Sequence, residues 1–419
     1  MPSYKMQKDL SQRDRRSQGY KTSAKAKTPT HSPPTKIFLV PKDGPICGKW
    51  PTILRTIMRN MNHAGSHSYP ETLSGGGSDL IGKELDRRVL HLPCMLGESL
   101  ALRGAHNSGT LGGLLELKMP ENHDYITVGL TCFHCVNPSE KGLDAELLDR
   151  VRVWRKEGIE PGDNLRTRLQ VEHPSPNTIK VNIASLQDEI RGIEQNEVYA
   201  RLCDLVSEGL QGQVGRHAEQ TFLSMRKNLS DLKSFLREME KFQASFGSIF
   251  AASGFRTTEV GKSSNLDWAL VEIPPGRVGE NITPDGHHLR ESPISVNLDD
   301  IPLFIHGQRS GLSKGRKSTL LSANLEHEIK DGETITRVTY EQSIFPQTGL
   351  HFSQGGDSGA LVFTESHVVV GMLIGGIIPK SGFASTCSYF TPIDVLIKDI
   401  KKITKATDVR LKMGRSEAS

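Results

Sequence analysis

Three short stretches of this chain carry side chains whose types and order could do acyl-transfer chemistry. Ser353-Gln354-Gly355-Gly356-Asp357-Ser358-Gly359 sets a serine between glycines, with an aspartate just before it. Glycine lets the backbone turn sharply and brings amide N–H groups near the serine oxygen. An exposed hydroxyl beside such donors is what a nucleophile needs when an oxyanion forms. The same residues also make an ordinary hairpin turn, so their companions must decide. Thr131-Cys132-Phe133-His134-Cys135 puts a histidine just past a β-prone run, either as a general base or as a buried structural imidazole. Cys132-x-x-Cys135 is a metal spacing too, but no second ligand pair stands at a matching spacing, and neither a metal nor a cofactor is expected. Asn265-Leu266-Asp267-Trp268-Ala269-Leu270 sets a carboxylate at the head of an apolar strand. That position is costly unless the carboxylate is hydrogen-bonded or paired; a turn aspartate at a strand end is the plainer alternative.

The chain has 419 residues, long enough for two or three domains with a substantial core. Its apolar fraction of 36% and charged fraction of 24% describe a soluble globular protein. Residues 1–36 hold nine Lys or Arg against two Asp, so this stretch carries +7 of a net +4 and leaves −3 for the rest. The folded body is therefore close to neutral, which argues against nucleic-acid recognition. The longest apolar run, Val368 to Ile378, is too short to span a bilayer and contains Gly371, Gly375 and Gly376, so no membrane is expected. Six cysteines do not make a disulfide framework, and the N-terminus has no apolar signal core. An intracellular protein with free thiols, cytoplasmic or nuclear, is expected.

The elements that would position these side chains follow from periodicity. Residues 1–36 are polar, basic and without apolar spacing, and read as a disordered tail. Trp50, Ile53, Leu54, Ile57, Met58 and Met61 mark a short amphipathic helix within an accessory segment, 37–92. Short Gly-bounded β runs begin near residue 93, at 109–117 and 125–131, and return at 247–254, 266–273, 301–305, 334–340 and 368–374. Between them, 184–246 changes character. Phe222, Met225, Leu229, Leu232, Phe235 or Leu236, Met239 and Phe242 recur in steps of three and four, after a weaker set from Leu186 to Leu205, which predicts a helical hairpin inserted in a β fold. Its apolar stripe is expected to pack on itself, with a partner-binding face as the alternative. Thr391-Pro392-Ile393-Asp394 reads as a Thr cap, a Pro at the first helical position and an acid, opening a C-terminal helix that frays beyond 405.

The candidates occur in the order His134, Asp267, Ser358. Subtilisin-type enzymes run Asp, His, Ser, and α/β-hydrolases run Ser, acid, His; the latter also need Gly-x-Ser-x-Gly, which Ala360 breaks. His, Asp, Ser on a β-rich chain is the chymotrypsin-like order. Thr-Cys-Phe-His-Cys, Leu-Asp-Trp-Ala-Leu and Gly-Asp-Ser-Gly resemble the His, Asp and Ser motifs of trypsin-like serine peptidases. The closest resemblance is to the intracellular trypsin-like peptidase domains of filamentous fungi, through the Gly-Thr-Leu-Gly-Gly strand, the helical insert and the Thr-Pro-Ile-Asp helix. It covers roughly 93–404.

The resemblance implies a mainly β, chymotrypsin-like double β-barrel with an α-helical insertion. The first barrel would occupy 93–280 with its insertion at 184–246, and the second 295–404 with the C-terminal helix, leaving 405–419 as a flexible tail. It implies Ser358 as nucleophile, His134 as general base, Asp267 as the residue that orients it, and the N–H groups of Gly356 and Ser358 as oxyanion hole. The primary specificity pocket would involve Phe352 and Gly376, with no acid to favour Lys or Arg. Cys135, which the secreted enzymes bridge to an upstream cysteine, would stay free, since no cysteine lies between Cys94 and Cys132. Gln354 stands where those enzymes have another cysteine. No Ile-Val-Gly-Gly activation sequence precedes the barrel, so Asp357 needs a partner other than a freed N-terminus. The function expected is a serine endopeptidase acting on protein or peptide substrates. The alternative is a catalytically silent or latent module on the same fold that binds peptides or a signalling partner.

Overall fold

The computed structural model describes residues 37–41, 90, 93–105, 107–121, 123–209, 215–258, 262–291, 298, 301–330, 333–347, 351–377 and 385–414. The basic tail 1–36 and the helix expected over Trp50–Met61 lie outside the described residues.

The chain enters at β1 (Ile37–Pro41) and continues through β2 (Ser99–Leu102), β3 (Gly109–Thr110), β4 (Gly113–Lys118), β5 (Tyr125–Thr131), β6 (Gln170–Glu172), β7 (Ser245–Ala252) and β8 (Ala269–Glu272). It resumes with β9 (Pro302–Gly307), β10 (Gly311–Lys317), β11 (Leu320–Lys330), β12 (Glu333–Pro346), β13 (Leu361–Thr364), β14 (Val369–Ile377), β15 (Cys387–Pro392) and β16 (Asp408–Leu411). These strands form two antiparallel sheets, and each closes on itself. In the first, β4 pairs with β5, β5 with β8, β8 with β7, β7 with β6 and β6 with β2. β2 then pairs with β3, and β3 runs on into β4 across Leu111 and Gly112, which completes a ring of six stretches. In the second, the order β12-β10-β9-β13-β14-β15 is closed by pairing of β15 back to β12. Strands outside the rings add to them: β1 pairs with β11 and β11 with β12 at the second, and β16 pairs with β4 at the first. The protein is thus mainly β, a double barrel with helical additions, as the resemblance implied.

Each barrel fills with its own apolar side chains. Leu100, Phe133, Trp154 and Val271 belong to the first core, and Leu303, Ile305, Val362 and Phe390 to the second. A third cluster lies between the barrels. Leu115, Leu130, Trp268 and Leu270 meet Phe363, Met372 and the inner face of the C-terminal helix, Ile393–Thr404, through Leu396 and Ile400.

The helical insertion sits between β6 and β7 and comprises three helices, Pro176–Glu194, Glu197–Ser207 and Arg216–Lys241. It begins at 176 rather than 184. Ser175 accepts from the Thr178 N–H and Pro176 occupies the first turn, a start signal that apolar spacing alone does not reveal. Its stripe packs on itself, with Ile193, Leu232, Phe235 and Met239 buried in one separate cluster. A further helix, Ala145–Glu157, capped by Asp144, was not legible in the apolar pattern. No helix among the described residues is long and apolar enough to cross a membrane.

The structure corrects two expectations at the C-terminal end. Residues 408–411, expected to fray with the tail, form β16, which pairs with β4 and buries Val409 and Leu411. Four residues with two apolar side chains are too short to announce a strand, and the pairing comes from the distant partner. Thr391 does not cap the helix: its hydroxyl donates to the Asn265 carbonyl at 3.4 Å, and the first turn starts after Pro392.

One buried carboxylate ties the helix to the first barrel. Asp399 Oδ2 accepts from the Arg256 guanidinium at 2.5 Å and from the Trp268 indole N–H at 2.8 Å. Removing one partner of such a pair strands the others in a poorly solvated site. Asp399→Ala is expected to cost about 3–5 kcal/mol in urea unfolding, read as a fall in the midpoint, whereas truncation of the exposed Lys398 on the same helix leaves the midpoint in place.

Candidate active site

β5 ends at Thr131 and the chain turns at once into a single helical turn, Phe133–Val136. This turn carries His134 out of the first barrel. Asp267 precedes β8, the neighbour of β5, so the sheet itself brings the two side chains together. Asp267 Oδ2 lies 2.5 Å from His134 Nδ1, and its Oδ1 accepts from the His134 backbone N–H at 2.9 Å. The carboxylate thereby fixes both the ring and the main chain of the histidine. It also explains why an acid stands at the head of this strand. The His134 side chain is 40% exposed and that of Asp267 13%.

Ser358 reaches the same place from the second barrel. The segment before β13 lies against the strand 109–113 of the first barrel, backbone to backbone. The Thr110 N–H donates to the Ser358 carbonyl at 2.8 Å. A Cβ on Gly112 would stand 1.8 Å from the Gly359 carbonyl oxygen, and one on Gly359 would stand 2.4 Å from that of Thr110. Gly359 also has φ +100°, a conformation that side chains rarely adopt. The glycines of Gly-Thr-Leu-Gly-Gly and of Gly-Asp-Ser-Gly are therefore the two sides of one contact.

Asp357 has found its partner. Fully buried, its carboxylate accepts from the backbone N–H groups of Arg309 at 2.8 Å, Ser310 at 3.2 Å and Gln354 at 2.7 Å, and from the Ser310 hydroxyl. Backbone donors alone can hold a buried carboxylate. Three of these four donors come from the turn between β9 and β10. The Gly356 carbonyl is drawn away by Gln308 Nε2 at 2.8 Å and the Thr110 hydroxyl at 3.0 Å. Gly356 itself has φ +109°. Among the described residues, neither the Gly356 nor the Ser358 backbone N–H donates to a protein acceptor. Sequence reasoning did not identify Thr110, Gln308, Arg309 or Ser310, whose roles arise only when distant turns meet.

The expected pocket residues Phe352 and Gly376 both lie in the second barrel. Phe352 is fully buried in the second core beside Ile344 and Gly315. Gly376 lies on β14 against Ser385 and the Cys387 carbonyl.

Cys135 is a free thiol, as are Cys94, Cys132, Cys203 and Cys387. Its sulfur stands 3.5 Å from His134 Nε2 and 3.7 Å from the Ser358 carbonyl, to which it donates. Among the described residues no hydrogen bond joins His134 to the Ser358 hydroxyl; the thiol occupies that side of the ring. Burial pulls the His134 pKa down, but the Asp267 carboxylate and then Cys135 outweigh it and hold the imidazole well above its usual value. The Cys135 thiol is lowered to about 6, first by a hydrogen bond from Cys132 and then, against its burial, by His134. Cys132, fully buried, is pushed up, chiefly by desolvation. The two shifts run in opposite directions, toward a proton on the ring and away from one on the sulfur.

No protein-family model matches the sequence, and neither does any curated protein. Among solved structures the chain is similar to Thermobifida fusca protease A, with 12% identity over 76% of this chain and 98% of that one at a TM-score of 0.33. Nocardiopsis protease gives 10% identity, the same coverages and the same score. Cellulomonas bogoriensis chymotrypsin gives 14% identity over 40% of this chain and 76% of that one, at 0.24. At such identities and scores the likeness says nothing of chemistry, which this chain's own geometry has to carry.

The thiolate gives a direct check on that geometry. Ultraviolet thiolate absorbance of the folded protein is expected to rise with a midpoint of about 6 for Cys135. In His134→Ala the midpoint moves up toward the ordinary thiol range. A midpoint unchanged by that substitution contradicts the Cys135–His134 contact.

Proposed function

We propose that this chain is a serine endopeptidase. The observation that carries the reading is the Asp267–His134 pair, held at 2.5 Å on one barrel, with the Ser358 turn docked against it from the other. In this mechanism the Ser358 hydroxyl attacks the scissile carbonyl, and His134 Nε2 takes its proton and returns it to the leaving amine. Asp267 keeps the proton on Nδ1 and stabilises the imidazolium. The undonated N–H groups of Gly356 and Ser358 supply the oxyanion hole, where loss of one donor costs about 3 kcal/mol of barrier. The substrate is a peptide or protein, and no cofactor takes part in these steps. Free thiols at Cys94, Cys132, Cys135, Cys203 and Cys387 fit a reducing, intracellular setting. The resemblance to intracellular fungal peptidase domains points the same way.

One observation favours a second reading, a latent form. With Cys135 on the Nε2 side of the ring, the base is held protonated and the serine is not engaged.

Labelling by a fluorophosphonate tests the proposal. Wild-type protein is expected to react, and Ser358→Ala and His134→Ala to lose at least about a hundredfold in rate. His134 accepts a proton only as the neutral ring, and its pKa is raised, so the rate falls as pH drops through a value above the usual 6.5 or so. Removing the thiolate in Cys135→Ser moves that limb to lower pH. Folded wild-type protein that does not label at any pH overturns the reading.

A further inference from the structure

Peptide hydrolysis leaves two thiols beside the base without a task. Cys132 and Cys135 flank Phe133 and His134 at the start of the helical turn 133–136, and both are buried. The Cys135 N–H donates to the Cys132 carbonyl at 3.3 Å. A turn closed in this way holds its first and fourth Cα atoms within about 7 Å, the reach of a disulfide. Cys132 donates to the Leu373 carbonyl, at 3.2 Å, a bond it can give up. The two sulfurs differ in character. The Cys135 pKa is lowered, first by Cys132 and then by His134, whereas burial pushes that of Cys132 up. An attacking thiolate and a resolving thiol are the two parts that dithiol oxidation requires.

We propose that Cys132 and Cys135 form a reversible disulfide, with a hydroperoxide as oxidant, and that its formation withdraws the Cys135 sulfur from His134 Nε2. The Cys135 thiolate attacks the outer peroxide oxygen and the O–O bond breaks. The departing alkoxide or hydroxide takes up a proton, leaving a sulfenic acid on Cys135. The Cys132 sulfur loses its proton and attacks the sulfenyl sulfur; hydroxide leaves and departs as water. Two thiols and one hydroperoxide thus become one disulfide, one alcohol or water from the peroxide, and one further water. The half-open side of the His134 ring, 40% exposed, gives a small oxidant its way in. Bond formation stands independently of the peptidase reading, and only its consequence rests on that reading. A neutral disulfide removes the Cys135 share of the pull that keeps a proton on His134 and leaves that of Asp267, so oxidation loosens the restraint on the base.

The test treats the full chain with hydrogen peroxide, alkylates the remaining thiols and digests without reductant. Both cysteines fall on one tryptic peptide, 119–141, so the bond reads as the loss of two hydrogens with no alkylation. The expected result is that peptide in oxidised form, restored by dithiothreitol, with Cys132→Ser instead giving a sulfenic acid on Cys135 that a dimedone probe traps. Two alkylated thiols after a treatment that oxidises the exposed Met413, or Cys135 oxidised without a link in wild type, overturns the proposal. Fluorophosphonate labelling supplies the second readout. Its rate is expected to rise on oxidation of the wild type, about tenfold for each unit by which the His134 pKa falls, and to return on reduction with dithiothreitol. A fall in labelling on oxidation overturns the release of the base. A link with no labelling in either state retains the disulfide and sinks the peptidase reading, whereas labelling without a link sinks the disulfide alone.

Discussion

The two barrels touch backbone to backbone at Gly112 and Gly359, where a single methyl group on either residue has no room. That contact is the constraint on which the site depends. Ser358 belongs to one barrel, and His134 and Asp267 belong to the other, so their distance is set by how closely the barrels approach. The bond from the Thr110 N–H to the Ser358 carbonyl fixes the register of that approach at 2.8 Å. Interiors are packed as densely as organic crystals, and a gap opened here would shift the serine relative to the base. Around the polar contact, Leu115, Trp268, Phe363 and Leu396 close an apolar seam that keeps the barrels from sliding.

Buried charge is handled in two ways at this seam. Asp357 is buried completely and is satisfied by backbone and hydroxyl donors without any cation, which ties the serine turn to the turn between β9 and β10. Asp267 spends one oxygen on the His134 ring and the other on its backbone. His134 in turn faces a carboxylate on one nitrogen and a thiol on the other. Both neighbours favour the imidazolium and hold the His134 pKa well above its usual value. The same arrangement that orients the base restrains it.

Much of this was legible in the sequence wherever local pattern and chemistry coincide. The Gly-bounded runs gave β4, β5, β7 and β8 nearly in place, and the steps of three and four along Phe222–Phe242 gave the long helix Arg216–Lys241. His134, Asp267 and Ser358 stood out because each combined an uncommon residue type with a strand end or a glycine turn. What stayed hidden depends on partners far along the chain. β16 is a strand only because β4 offers it an edge. Apart from the neighbouring Gln354, the Asp357 donors come from Arg309 and Ser310, in a turn whose own sequence signals nothing. The helix Ala145–Glu157 carries mostly charged residues, and its few buried side chains, Leu147, Val151 and Trp154, are too sparse to stand out. The place of Cys135 was adjacent to the histidine in plain view, yet the direction in which its sulfur points follows from the helical turn and could not be read from spacing.

The most direct measurement is a crystal structure of the protein after reaction with a fluorophosphonate. The expected result is phosphorus bonded to Ser358 Oγ, its oxygen between the N–H groups of Gly356 and Ser358, and His134 Nδ1 still on Asp267. An adduct on Cys135 or on another residue, or an oxygen facing away from both N–H groups, would contradict the assembly of this site from the two barrels.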